Sequence, residues 1–138
     1  MGLASKISTA LLFDRISRAL AKRDYGTARI LAERAVAKNS ESVAGTVTLG
    51  DLCLFEQRYA DAVKHYKKAR QWITSDETLT SEDRRFIAAY INFRMHAVAK
   101  RLKGEEFENW TEFASKINSL PAKRMYKDVF VLPIAKSV

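Results

Sequence analysis

Residues 48–69 read TLGDLCLFEQRYADAVKHYKKA, and this stretch decides the fold. Its second half is similar to DYGTARILAERA, residues 24–35, which lies 34 positions earlier in the chain. Both contain Tyr-x-x-Ala followed by another alanine seven residues after the first. Self-similarity at a fixed period of about 20 to 50 residues is the signature of a repeat architecture. Between the first two units, the residues identical at an offset of 34 are Ser8 and Ser42, Ala10 and Ala44, Leu20 and Leu54, Tyr25 and Tyr59, Ala28 and Ala62, and Ala35 and Ala69.

This spacing has a physical interpretation as pairs of antiparallel helices. The tyrosine of each segment begins a second helix and fills the gap between the two helices of a pair. Alanines seven positions apart lie two turns along one helical face, and their small side chains let neighbouring helices approach closely. We therefore predict that Ala28, Ala62 and Ala69 are buried at contacts between helices. One pair cannot bury its apolar faces alone, so successive pairs stack to form the core.

The second unit matches a known pattern of large and small residues. Six residues stand at the spacings of the tetratricopeptide repeat (TPR) family, namely Leu49, Gly50, Tyr59, Ala62, Tyr66 and Ala69. Residues 43–74 therefore resemble one well-formed TPR unit. In the resembling family Gly50 would be the small residue where two helices touch, and Tyr66 the large aromatic residue on the second helix.

Two further units resemble the same family less closely. Residues 9–40 are a degenerate unit, and residues 82–120 a divergent one with Trp110 where the family has alanine. The resemblance implies an all-α, right-handed solenoid segment of about three helical hairpins. The alternative is an ordinary helical bundle in which the period is accidental.

We expect one all-α domain over residues 1–138, with an apolar tail over residues 121–138. Thr80 or Ser81 with Asp83 is a helix start, and Gly104 is a natural helix end. In the helix between them the basic residues, Arg94 included, are expected on faces other than the apolar one. The predicted helices cover residues 6–22, 25–38, 43–55, 59–73, 82–103 and 105–119.

Composition and charge narrow the class of protein. The chain of 138 residues is 47% hydrophobic, which is not a disordered composition, and carries a net charge of +8. An excess of basic residues raises the expectation that the partner is nucleic acid or another acidic molecule. The single cysteine, Cys53, excludes an internal disulfide and suits a reducing compartment. No apolar run approaches the ~20 residues that span a bilayer. The expected location is therefore cytoplasmic, without a membrane partner.

The sequence carries no pattern typical of catalysis. No second histidine or cysteine stands at metal-ligand spacing from His65 or His96. Cys53 is expected to be a buried, inert thiol. No glycine-rich phosphate loop is present. We therefore predict a protein that is not an enzyme and uses no metal and no cofactor.

The resemblance implies a binding function instead. In TPR proteins the first helices of the pairs line a concave groove that takes a peptide. By position, an apolar groove would bind a peptide or partner protein, as in a scaffold, adaptor or chaperone-like protein. The alternative is that these side chains are core, covered by the third helix pair or by the tail. The positions carried over are Phe13, Ser17, Leu20, Val47, Asp51, Leu54 and Phe55.

Two other functions remain open. Nucleic-acid association would use clusters of basic residues, because phosphate contacts need only such clusters. Homo-oligomer assembly would use the tail, where Val129–Ile134 is too apolar to remain in water without a reason. We expect this run to pack either on the chain's own helices or on a second copy. The candidate phosphate contacts are Arg15, Arg18, Lys22, Lys64, Lys67 and Lys68.

Overall fold

The structure, a computed structural model, describes residues 3–38, 42–104, 110–124, 126–128 and 130. Within these ranges the chain is helical and contains no strand, which confirms the predicted all-α class. Residue 124, residues 126–128 and residue 130 are helical as well. The six principal helices are α1 (Leu3–Ala21), α2 (Tyr25–Lys38), α3 (Val43–Phe55), α4 (Tyr59–Trp72), α5 (Ser81–Leu102) and α6 (Trp110–Ser119).

These bounds agree closely with the sequence-based ones. α1 begins three residues before the predicted start at residue 6, and α2 and α3 have the predicted bounds. The predicted start of the last helix, at residue 105, lies outside the described residues. α5 ends where expected, because Gly104 has a φ of +76°, the left-handed conformation that glycine adopts without strain.

Each helix packs against the next one along the chain, and α3 also packs against α5. Three residues connect α1 to α2 and α3 to α4, so each of these pairs is a helical hairpin. One continuous apolar core runs from α1 through α6 to Phe130. α3 is the most enclosed helix, since its residues from Val43 to Thr48 are all buried. The described residues therefore share one core.

The 34-residue period is present in the backbone as well as in the sequence. Arg23 and Gln57 have φ values of 58° and 61°, and each lies in the turn that ends the first helix of a pair. The N–H of Asp24 donates to the carbonyl of Ala19 at 2.9 Å, and the N–H of Arg58 to that of Cys53 at 2.8 Å. Both turns are Schellman motifs, the usual way to satisfy the last carbonyls of a helix. Two turns of the same geometry thus lie one period apart.

The small residues of the pattern lie where helices meet. Ala28, Ala62 and Ala69 are fully buried, which confirms the predicted burial. At Gly50 a Cβ atom would lie 2.8 Å from Cε1 of Tyr66, so α3 and α4 approach too closely for any side chain. The small residue and the large ring therefore form one contact.

We expect Gly50→Ala to destabilise the protein by ~1–3 kcal/mol through overpacking. The ring of Tyr66 cannot move aside easily, because it is fully buried and its hydroxyl is hydrogen-bonded to Asp51. Gly26→Ala is the matched control, since its Cβ would meet nothing nearer than 3.9 Å and helix propensity favours alanine. Urea unfolding of both variants measures the difference. Equal effects would contradict a close approach of the two helices.

Residues 73–80 connect α4 to α5 and form hydrogen bonds at the starts of α3 and α5. Oδ2 of Asp76 accepts the N–H of Val43 at 3.1 Å and so caps the start of α3. Thr80 and Asp83 form a capping box at the start of α5, which confirms the predicted helix start. The connection therefore positions α5 against α3.

Candidate functional site

The C-terminal segment, residues 123–130, of which the structure describes residues 123, 124, 126–128 and 130, packs on α1 and α5. On α1, the ring of Tyr126 lies 6.3 Å from that of Phe13 in an edge-on arrangement. Oγ of Ser17 donates a hydrogen bond of 3.2 Å to the carbonyl of Asp128. The segment thus reaches residues that precede it by more than 100 positions in the chain.

On α5, the C-terminal segment is held by stacked aromatic rings. Phe130 is fully buried, and its ring centroid lies 4.8 Å from that of Tyr90 and 6.5 Å from that of Phe86. Offset-stacked rings at such distances contribute beyond the area that they bury. Phe130 therefore packs on this chain's own α5, one of the two alternatives for the tail, while Val129 and residues 131–134 lie outside the described residues.

A buried carboxylate anchors the beginning of the C-terminal segment. Oδ1 of Asp83 accepts the backbone N–H of Lys123 at 2.9 Å, while Oδ2 lies within the capping box of α5. Burial raises the pKa of Tyr126, and the charges of Asp83 and Asp76 raise it further. The phenol therefore stays protonated and packs as a neutral group.

The structure places the seven candidate groove residues in two environments. Phe13, Leu20, Val47 and Asp51 are buried, so these four side chains do not line an open groove as expected. At Phe13 the covering group is Tyr126 of the C-terminal segment. The half-buried members are Ser17, Leu54 and Phe55.

Asp51 lies at the centre of a buried network that joins three helices. Its carboxylate accepts hydrogen bonds from the hydroxyl of Tyr66 on α4 and, at 2.6 Å, from the hydroxyl of Tyr90 on α5. Nε of Arg94 donates to the hydroxyl of Tyr90 at 2.8 Å and lies 3.4 Å from Oδ1 of Asp51. Asp51 and Arg94 are only 4% and 3% exposed. The network therefore fixes α3, α4 and α5 relative to one another.

The prediction that Arg94 lies on a face of α5 other than the apolar one is wrong, because Arg94 is buried. Its guanidinium carbon lies 5.6 Å from the ring centroid of Phe55 and 5.4 Å from that of Tyr90. A delocalised guanidinium can stack on aromatic faces and still donate hydrogen bonds. Arg94 follows Tyr90 by four residues and so lies on the same face of α5. That spacing was the sequence signal for its burial.

The protonation states in this network follow from burial and charge. Burial raises the pKa of Asp51, while Arg94 and the two tyrosine hydroxyls act in the opposite direction. Burial and the charge of Asp51 raise the pKa of Tyr66, and burial also raises that of Tyr90. Both phenols therefore remain hydrogen-bond donors. Two hydroxyl donors and one arginine surround the carboxylate in a structural network, in which Tyr90 also supports Phe130.

The six candidate phosphate contacts are all exposed. Arg18 forms an ion pair of 3.1 Å with Asp14 on the same turn of α1. The cluster on α4 faces solvent beside the half-buried His65. The exposed residues are Arg15, Arg18, Lys22, Lys64, Lys67 and Lys68.

Cys53 and the histidines show no metal-binding arrangement. Cys53 is buried, as predicted, and burial raises the pKa of its thiol. Within the described ranges, no group of three His, Cys, Asp or Glu side chains could hold a metal ion. In the same ranges, no helix is both long enough and apolar enough to cross a membrane.

We expect His65 to make the protein less stable in mild acid. Burial lowers the pKa of His65 below its usual value of 6.5, and the charge of Lys68 lowers it further. At a pH between the pKa values of His65 in the folded and the unfolded chain, the unfolded chain binds more protons than the folded one. The free energy of unfolding therefore falls as the pH drops below 6.5. Urea unfolding of the wild type and of His65→Gln between about pH 5 and pH 7 tests this. Identical pH slopes in the two proteins would contradict it.

Comparisons of the sequence with protein families, with curated proteins and with solved structures found no match. The candidate site therefore rests on this chain's own contacts. Sequence reasoning missed Asp83 and Tyr90 as site residues, although both lie on the predicted long helix. The sequence indicated an apolar tail, but no pattern in it showed which side chains the tail would cover.

Proposed function

We propose that this chain is a non-catalytic protein–protein interaction module that binds a peptide or a partner protein. The binding face is formed by the first helices of the pairs, α1, α3 and α5. One observation carries the proposal, namely that a short helical stretch, the C-terminal segment, packs on α1 and α5 through Tyr126 and Phe130. A face that accommodates one helical peptide has the shape and chemistry to recognise another.

We further propose a TPR-like solenoid arrangement for the helix pairs. It is supported by the two Schellman turns one period apart, at Arg23 and Gln57. The close approach of Gly50 to Tyr66 and the burial of Ala62 support it as well. Stacked helix pairs present extended concave surfaces, and proteins of this architecture use such surfaces for binding.

Site-specific photo-crosslinking in the native host tests the binding function. A photoreactive residue at Ser17 or Leu54, which are half-buried on α1 and α3, should give a discrete crosslinked protein. Lys67, exposed on α4, is the matched control position and should not give that product. Crosslinking only from Lys67, or equally from all three positions, would overturn the proposed face.

A second candidate function is nucleic-acid association, favoured by the net charge of +8 and by the exposure of every candidate phosphate contact. Binding of this kind weakens steeply with salt, in proportion to the number of phosphates contacted. Replacing Lys64, Lys67 and Lys68 with glutamate should then abolish binding to duplex or single-stranded probes. Binding that is insensitive to both salt and these changes would exclude the candidate. A mass in solution above that of one chain would instead favour homo-oligomer assembly.

A further inference from the structure

The C-terminal segment indicates which kind of partner fits the part of the proposed binding face that α1 and α5 form. We propose that the partner presents a short amphipathic helix with two aromatic side chains four residues apart. This proposal rests on the proposed function. The C-terminal segment is the chain's own occupant of the same site. Binding of the partner therefore requires displacement of this segment.

The two aromatic side chains reach different helices of the binding face. Tyr126 and Phe130 are separated by four residues and so lie on one face of a helix, one turn apart. Tyr126 meets Phe13 of α1, while Phe130 stacks on Tyr90 and Phe86 of α5. One aromatic pair at this spacing thus spans the two helices. A partner helix needs the same spacing to fill both places.

Two hydrogen bonds of the C-terminal segment with the binding face are made by its backbone, and Nζ of Lys123 adds an ion pair of 3.9 Å with Oδ2 of Asp83. Asp83, itself 1% exposed, accepts the N–H of Lys123 at the start of the helical stretch. A carboxylate at this end of a helix satisfies an N–H that lacks an intrahelical partner. Ser17 donates to the carbonyl of Asp128 near the other end. Because any helix offers these backbone groups, the site selects its ligand through the aromatic side chains.

Side chains on the opposite side of the C-terminal segment make few contacts with the binding face. The side chain of Arg124 is 93% exposed and pairs with Asp128 only at 3.9 Å. The ammonium of Lys127 donates to the carbonyl of Asn118, outside the binding face. These side chains can therefore vary in a partner.

The C-terminal segment competes from within the same chain. Only residues 120–122 connect it to α6, so its local concentration at the face is on the order of millimolar. A short helix has little stability of its own, so the segment holds its conformation through these contacts. Weakening its two aromatic contacts should therefore open the site to a helix supplied in trans.

The experiment uses the full chain with Tyr126→Ala and Phe130→Ala, compared with the wild type. The probe is a fluorescent peptide of residues 120–132, whose binding is followed by anisotropy. We expect it to bind the double variant about tenfold or more tightly than the wild type, where the intact segment competes. A peptide carrying the same two alanine changes should not bind. A peptide with Arg124→Ala, a change at an exposed position, should bind as well as the unchanged probe.

A second measurement, of the melting temperature, applies if the double variant is less stable than the wild type. Its melting temperature should rise on addition of the unchanged peptide and not on addition of the alanine peptide, because a ligand that binds the folded state stabilises it. Absence of both peptide binding and recovery of the melting temperature would overturn the proposed ligand. Crosslinking from Ser17 and Leu54 would still stand in that case, so failure of the ligand and failure of the binding face are distinguishable. A wild-type dimer that the two alanine changes convert to a monomer would assign the site to a second copy and overturn displacement within one chain.

Discussion

We expect Asp51→Ala to destabilise the protein by ~3–5 kcal/mol, because removing one member of a buried ion pair leaves the other charge without compensation. Arg94 would keep its charge while only 3% exposed, and the hydroxyls of Tyr66 and Tyr90 would lose their shared acceptor. Urea unfolding followed by circular dichroism measures the change in the free energy of unfolding. The loss should appear as a lower midpoint with an unchanged slope.

Asp14→Ala is the matched control for this prediction. Asp14 also pairs with an arginine, Arg18 at 3.1 Å, but both side chains are largely exposed to water. Exposed pairs contribute ~0–1 kcal/mol, so this variant should unfold almost as the wild type does. If the two aspartate variants lost equal stability, the network around Asp51 would be accessible to water, contrary to its burial in the structure.

Phe130→Ala should destabilise the protein by ~3–5 kcal/mol, the usual cost of removing a buried aromatic ring. The ring is fully buried, and its loss opens a cavity beside Tyr90 and Phe86. Tyr90 also donates to Asp51, so the cavity lies next to the buried network. Thermal and urea unfolding of the full chain measure the effect.

Leu102→Ala provides the comparison, since Leu102 is an apolar residue that is 63% exposed at the end of α5. Substitutions at such sites change stability by ~0.5 kcal/mol or less. A loss for Phe130→Ala as small as that for Leu102→Ala would mean that the C-terminal segment does not pack on α5 in solution. Unchanged mass in solution, together with the large loss, would assign the packing to the chain's own helices.

The sequence by itself determined the principal helices, several of their ends and the small residues between them. Period, capping and turn signals are local, so Thr80 with Asp83, Gly104 and the buried alanines at positions 28, 62 and 69 could all be identified. Each depends on residues within two turns of a helix or on a repeated spacing. The all-α class followed directly, because such signals add up along the chain.

Only the tertiary structure decided what covers the face of α1 and α5. The contact of Ser17 with Asp128 joins residues 111 positions apart, and no local pattern in the sequence links them. The apolar tail could equally have packed on a second copy, because apolar burial is not directional. The spacing of Arg94 from Tyr90 indicated the buried face of α5, but the carboxylate that compensates the charge of Arg94 comes from another helix. Asp51 and Phe55, both on α3, reach Arg94 only in the folded chain.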